Sequence, residues 1–154
     1  MHLRLIPAIL AVAAFVAPAR AADDKPAAHV HDSPEMTKCE KACVDCAKEC
    51  ESCFHHCATM LAQGKKEHLR SLQTCNDCGV LCAVAAKLMA RHGPFTGLTC
   101  DACGKACDLC GAECEKFPND EHMKKCATAC RDCAKACRDM VKVTGTGVTI
   151  ITSP

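Results

Sequence analysis

The stretch Cys39–Cys57, CEKACVDCAKECESCFHHC, decides the fold: its cysteines at 39, 43, 46, 50, 53 and 57 follow one another at intervals of 4, 3, 4, 3 and 4 residues. Steps alternating between three and four keep one residue type on a single face of an α-helix, the a and d seam of a heptad. The same rule runs outward along the chain. Cys75, Cys78 and Cys82 obey it, as do Cys100, Cys103, Cys107, Cys110 and Cys114, and Cys126, Cys130, Cys133 and Cys137. All 18 cysteines of the 154-residue chain thus fall on four stripes. Two of the stripes echo each other: residues 39–50 (CEKACVDCAKEC) and 126–137 (CATACRDCAKAC) agree at 8 of 12 positions, as a duplicated helical unit would.

Breakers separate the stripes. Ser33-Pro34-Glu35 reads as N-cap, N1 proline and early acid, Gln63-Gly64 closes the first helix, His92-Gly93-Pro94 closes the second, and Phe117-Pro118-Asn119-Asp120 divides the third from the fourth. Four helices with short connections predict an all-α fold, an antiparallel up-down-up-down four-helix bundle with a cysteine-lined core, over residues 35–143. Lys38, Lys41, Asp45 and Lys48 on the first helix, and Lys124, Lys125, Arg131, Asp132 and Lys135 on the fourth, fall opposite the cysteines and read as a solvated face. There is no Trp or Tyr and only four Phe, so cysteine must fill part of the interior.

Outside the bundle, residues 1–21 read as a secretory signal. They offer His2 and Arg4, an apolar run from Leu5 to Val16 and an Ala19-Arg20-Ala21 cleavage site, with no twin-arginine pair, and predict an exported, periplasmic protein. Residues 22–34 read as a flexible linker, and residues 144–154 as a tail with no assigned function. The formal charge of +1 points to neither nucleic acid nor an acidic membrane surface, and no membrane association is expected once the signal is removed.

Buried free cysteines behave as small hydrophobes, but Ala, Val or Leu would pack as well without the risk of oxidation. A disulfide framework is the ordinary reading of an even cysteine count in an exported chain. Such scaffolds are loop-rich and irregular, however, and helical neighbours at i+3 and i+4 are poorly oriented for a disulfide. Metal remains. Sulfurs three or four residues apart on a helix form two-thiolate clamps, and soft thiolates select Cu(I), Zn(II) or iron–sulfur clusters. If every sulfur bridges two Cu(I) ions and every ion takes two sulfurs, a neutral core holds about one ion per cysteine, on the order of 18. Zinc in four-thiolate sites leaves two negative charges at each and is the weaker candidate, so a zinc- or cadmium-sequestering, metallothionein-like protein is the alternative. The run typical of iron–sulfur ligation is absent. A thiol oxidoreductase needs one exposed low-pKa cysteine rather than a row of equivalents, and no catalytic constellation stands out, so no enzyme is expected.

The heptads run on past the cysteines to methionine and histidine. Met36, Met89, His92 and Met140 are expected to gather at one end of the bundle as a thioether and imidazole mouth that passes Cu(I) inward. Met60, His68 and Met123 gather at the other end, plugged by Phe117, Leu61 and Leu69. His55 and His56 fall off the stripe and read as surface residues, and His29 and His31 in the linker could form an accessory copper site.

The four stripes, C-E-K-A-C-V-D-C-A-K-E-C, C-N-D-C-G-V-L-C, C-D-A-C-G-K-A-C-D-L-C and C-A-T-A-C-R-D-C-A-K-A-C, resemble those of the four-helix-bundle copper storage proteins. The resemblance spans residues from about 35 to 143. It implies Cu(I) held by the cysteine thiolates inside the bundle, copper donor or acceptor proteins as partners, and a homo-oligomer, often a tetramer.

Overall fold

The computed structural model describes residues 33–148. Residues 1–21, read above as a secretory signal, most of the expected linker with His29 and His31, and the end of the tail lie outside them. Helix α1 covers Pro34–Ala62, α2 Leu69–Ala90, α3 Thr96–Cys114 and α4 Glu121–Thr144, with one turn of 3-10 helix at Lys66–His68. The helices pack in a ring, α1 against α2 and α4, and α3 against α2 and α4, which is the expected antiparallel four-helix bundle.

The breakers act as their chemistry dictates. Ser33 is extended, and its hydroxyl oxygen accepts from the Met36 amide at 3.1 Å, with Pro34 supplying a first helical position that has no N–H to satisfy. Gly64, at φ +85°, takes the left-handed conformation just past the end of α1. His92 does the same after α2 at φ 51°, a conformation β-carbon sterics make uncommon. Asp120 caps α4, its carboxylate accepting from the amides of His122 and Met123 at 2.9 and 3.3 Å.

The interior is sulfur. Every cysteine is buried, and with Met36, Met89, Met123, Met140 and a few alanines they form one continuous core. Among the described residues the buried polar side chains are His68, Ser71 and Thr96, all near the ends of the bundle. Charged side chains stay on the outside, many paired along their own helix, as Lys41 with Asp45 and Lys105 with Asp101. No helix among the described residues is long and apolar enough to cross a membrane.

Candidate metal centre

Heptad spacing sends each cysteine inward, and the antiparallel packing sets the four rows in register, so sulfurs of different helices touch. Cys43 Sγ lies 3.7 Å from Cys137 and 3.6 Å from Cys133. Cys82 lies 3.5 Å from both Cys103 and Cys107. Cys75 reaches Cys110, Cys114 and Cys126 at 3.7 to 3.9 Å, and Cys46 reaches Cys107 and Cys130. None of the eighteen is in a disulfide.

These sulfurs group in fours with every pair within 4.8 Å. The groups include Cys43-Cys103-Cys133-Cys137, Cys46-Cys78-Cys82-Cys107, Cys46-Cys50-Cys78-Cys130, Cys50-Cys110-Cys126-Cys130 and Cys53-Cys75-Cys114-Cys126. A tetrahedral ion with bonds of about 2.3 Å asks for sulfurs about 3.8 Å apart, so spacing alone does not choose the metal. Sharing is more informative, because Cys46, Cys50, Cys78, Cys126 and Cys130 each belong to two of these groups. Four of the five are linked in a chain by shared sulfurs, and the fifth, Cys43-Cys103-Cys133-Cys137, meets that chain by contact, Cys82 lying 3.5 Å from Cys103 and 3.9 Å from Cys133.

The thiol protons are distributed over this network. Cys43, Cys50 and Cys130 are held above the usual thiol range, first by hydrogen bonding with neighbouring cysteines and then because burial opposes charge. Cys46, Cys110 and Cys137 are lowered by hydrogen bonding with neighbouring cysteines, against the same burial. Among the described residues no Lys or Arg is buried to neutralise thiolates, so the metal-free core favours mostly protonated thiols, whose protons an entering metal must displace.

The two ends differ. At the end where α1 and α3 begin, Met36, Met89 and Met140 are all buried, and Cys100 lies 3.9 Å from the Met89 sulfur. His92 is exposed beyond them, so the structure carries the thioethers inward and leaves the imidazole outside. At the opposite end Met123 Sδ lies 3.5 Å from Cys53 and 3.8 Å from Cys57, and His68 Nδ1 is 3.9 Å from Cys57 Sγ. Met60 stays partly exposed with the Lys65 ammonium at 3.3 Å from its sulfur. The expected plug holds only in part: Phe117 stacks on His68 with centroids 4.3 Å apart, but Leu69 is 51% exposed because it starts α2 on the outward face.

His56, expected on the surface, is half-buried. Its Nε2 lies 2.7 Å from the Asp120 carboxylate and its ring stacks on His122 at 4.6 Å, while His55 is exposed. Asp120 and His122 carried no sequence signal beyond the helix start, since only the approach of α4 to α1 brings them to His56. Asp120 is depressed below the usual carboxylate range. Desolvation pushes it upward, but the His56 hydrogen bond and the two cap amides outweigh that.

Comparison with known proteins agrees with this geometry. The sequence model of the family described as copper storage protein matches residues 32–142. A cysteine-rich protein of Bacillus subtilis, YhjQ, is 39% identical over 92 residues, spanning 59% of this chain and 82% of its own length. Among solved structures, Cu(I)-bound copper storage protein BsCsp3 superposes with a TM-score of 0.62 at 36% identity, covering 69% of this chain and 97% of that one. A copper storage protein from Streptomyces lividans, described as cytosolic, gives 0.64 at 29% identity over 70% of this chain and 92% of its own.

These relatives correct one expectation. Residues 1–21 suggested an exported, periplasmic protein, whereas the Streptomyces relative is described as cytosolic. An apolar run followed by A-x-A is a short compositional pattern. The cysteine-lined bundle, the family match over most of its length and the relatives of the same fold lead to one statement: this chain belongs to the copper storage protein family.

Proposed function

We infer that this protein binds and stores Cu(I) on the thiolates of its eighteen core cysteines, at about one ion per cysteine. The carrying observation is a run of sulfur groups, most of them sharing members, in an interior that buries no Lys or Arg among the described residues. A shared sulfur bridges two ions. Bridged Cu(I) and thiolate in equal number sum to zero charge, whereas each isolated zinc in four thiolates would leave two negative charges where nothing offsets them. That Cu(I) is bound in BsCsp3 supports the same ion here.

Storage rather than catalysis follows from equivalence: no single thiol is exposed or set apart as a nucleophile. Met36, Met89 and Met140, with His92 outside them, form the proposed uptake path at one end, because thioether and neutral imidazole ligate without losing a proton. Copper donor and acceptor proteins and a homo-oligomer, tetrameric by resemblance, belong to the same proposal. Exposed Val44, Val80 and Leu109 are apolar surface such an assembly would cover.

A direct test offers the reduced protein Cu(I) and Zn(II) together without oxygen and measures the metal retained after desalting. Copper alone is the expected result. Retention of zinc at a few ions per chain in preference to copper supports the metallothionein-like alternative.

A further inference from the structure

On α2 the heptad stripe does not stop at Cys75. From Cys82 it steps back through Cys78 and Cys75 by four and three residues, and the next two steps, again of four and three, reach Ser71 and His68. Both are buried, Ser71 completely. Among the described residues the Ser71 hydroxyl is the buried side-chain polar atom that lacks a hydrogen-bond partner, a state that costs stability. Alanine fills other interior positions without that cost, Ala85 and Ala134 among them.

The register of the bundle says what stands beside Ser71. Cys53, Cys75, Cys114 and Cys126 form a four-sulfur group with one member from each helix. One heptad step further along each helix reaches Cys57 on α1, Ser71 on α2, Phe117 just past α3 and Met123 on α4. The contacts agree with this layer: Cys57 Sγ lies 3.8 Å from Met123 Sδ and 3.9 Å from His68 Nδ1, and the His68 ring stacks on Phe117 at 4.3 Å. Four thiols are thus followed by a thiol, a hydroxyl, a phenyl ring and a thioether. Ser71 also precedes Cys75 by four residues, the spacing at which Cys46 meets Cys50 and Cys78 meets Cys82 at 4.0 Å.

We propose that Ser71 occupies a ligand position of the core and closes it. A hydroxyl keeps its proton where a thiol gives it up, and soft Cu(I) selects sulfur. The run of bridging sulfurs on α2 therefore stops at Cys75, and this one side chain limits the copper capacity of the chain at the His68 end. The ligand position rests on the Cu(I) reading. The orphaned hydroxyl does not.

Ser71→Cys and Ser71→Ala in the reduced full chain test both parts. Titration with Cu(I) against a chelator, beside wild type, should saturate about one ion per chain higher for Ser71→Cys and at the wild-type count for Ser71→Ala. Without metal, Ser71→Ala should unfold at higher denaturant concentration than wild type. Its gain should exceed that of Ser52→Ala at an exposed position of α1, which reads helix propensity alone. Saturation of Ser71→Cys at the wild-type count overturns the ligand position. Loss of its helical circular dichroism does so too, since a ligand position has room for a thiol. Loss of an ion from Ser71→Ala would make the hydroxyl itself a ligand and overturns the closure. A Ser71→Ala gain no larger than that of the Ser52→Ala control overturns the orphaned hydroxyl. Failure of the wild type to take up Cu(I) would fall on the functional reading and leave the metal-free comparison standing.

Discussion

Gly104 of α3 packs against Cys137 of α4 so closely that a Cβ on the glycine would stand 3.3 Å from that of the cysteine. Close approach here sets the depth at which the α4 sulfurs enter the core. Gly104→Val should therefore push α4 outward and destabilise the metal-free protein by about 1–3 kcal/mol, the usual range for overpacking. Gly104→Ala should be nearly neutral, since better helix propensity offsets part of the crowding. Denaturant unfolding of the reduced protein measures both.

Asp120 joins the α4 cap to His56 of α1. Its folded carboxyl is depressed relative to the unfolded value of about 3.9, so its contribution is present above that pH and is lost as pH falls through the lower folded value. Asp120→Ala should cost about 1 kcal/mol near neutrality through loss of the cap. Asp120→Asn keeps a capping oxygen but should flatten the fall in stability on acidification. Melting temperatures between pH 7 and pH 3 check the pair.

Protonated cysteines fill the interior at van der Waals contact, so the metal-free protein should already be helical, and copper should add stability by mass action. Circular dichroism of the reduced metal-free chain should show a helical spectrum. A disordered chain that folds only on adding metal would replace this picture with one of zinc-finger type.

Met36, Met89 and Met140 are buried beyond the terminal cysteines. Replacing all three with Leu conserves volume and should cost less than about 1.5 kcal/mol per site, leaving capacity intact. The rate of Cu(I) loading from a chelated donor should fall. If that variant loads at the wild-type rate while Met60→Leu with Met123→Leu is slow, copper enters at the His68 end.

The bundle was legible because the cysteine intervals state both the helical period and the buried face, and Ser33, Gly64 and Asp120 mark helix ends by local chemistry. The cluster of His56, His122 and Asp120 was not. His56 stands next to Cys57, off the stripe, and its burial comes from a capping loop 64 residues away. Leu69 misled because apolarity alone does not say which side of a helix start faces inward. The recurrence of Gly97, Gly104 and Gly111 was visible in the sequence, and its spacing of seven could have identified the α3–α4 contact. Export was read from a compositional pattern in residues 1–21, and the Streptomyces relative described as cytosolic stands against it.

Anaerobic titration of the reduced protein with Cu(I) against a competing chelator, with copper and protein both quantified, tests the central claim most directly. A shared-sulfur core without internal cations should saturate at about one ion per cysteine, on the order of 18 per chain. Saturation at four or five ions would mean separate tetrahedral sites and would contradict storage on a continuous thiolate core.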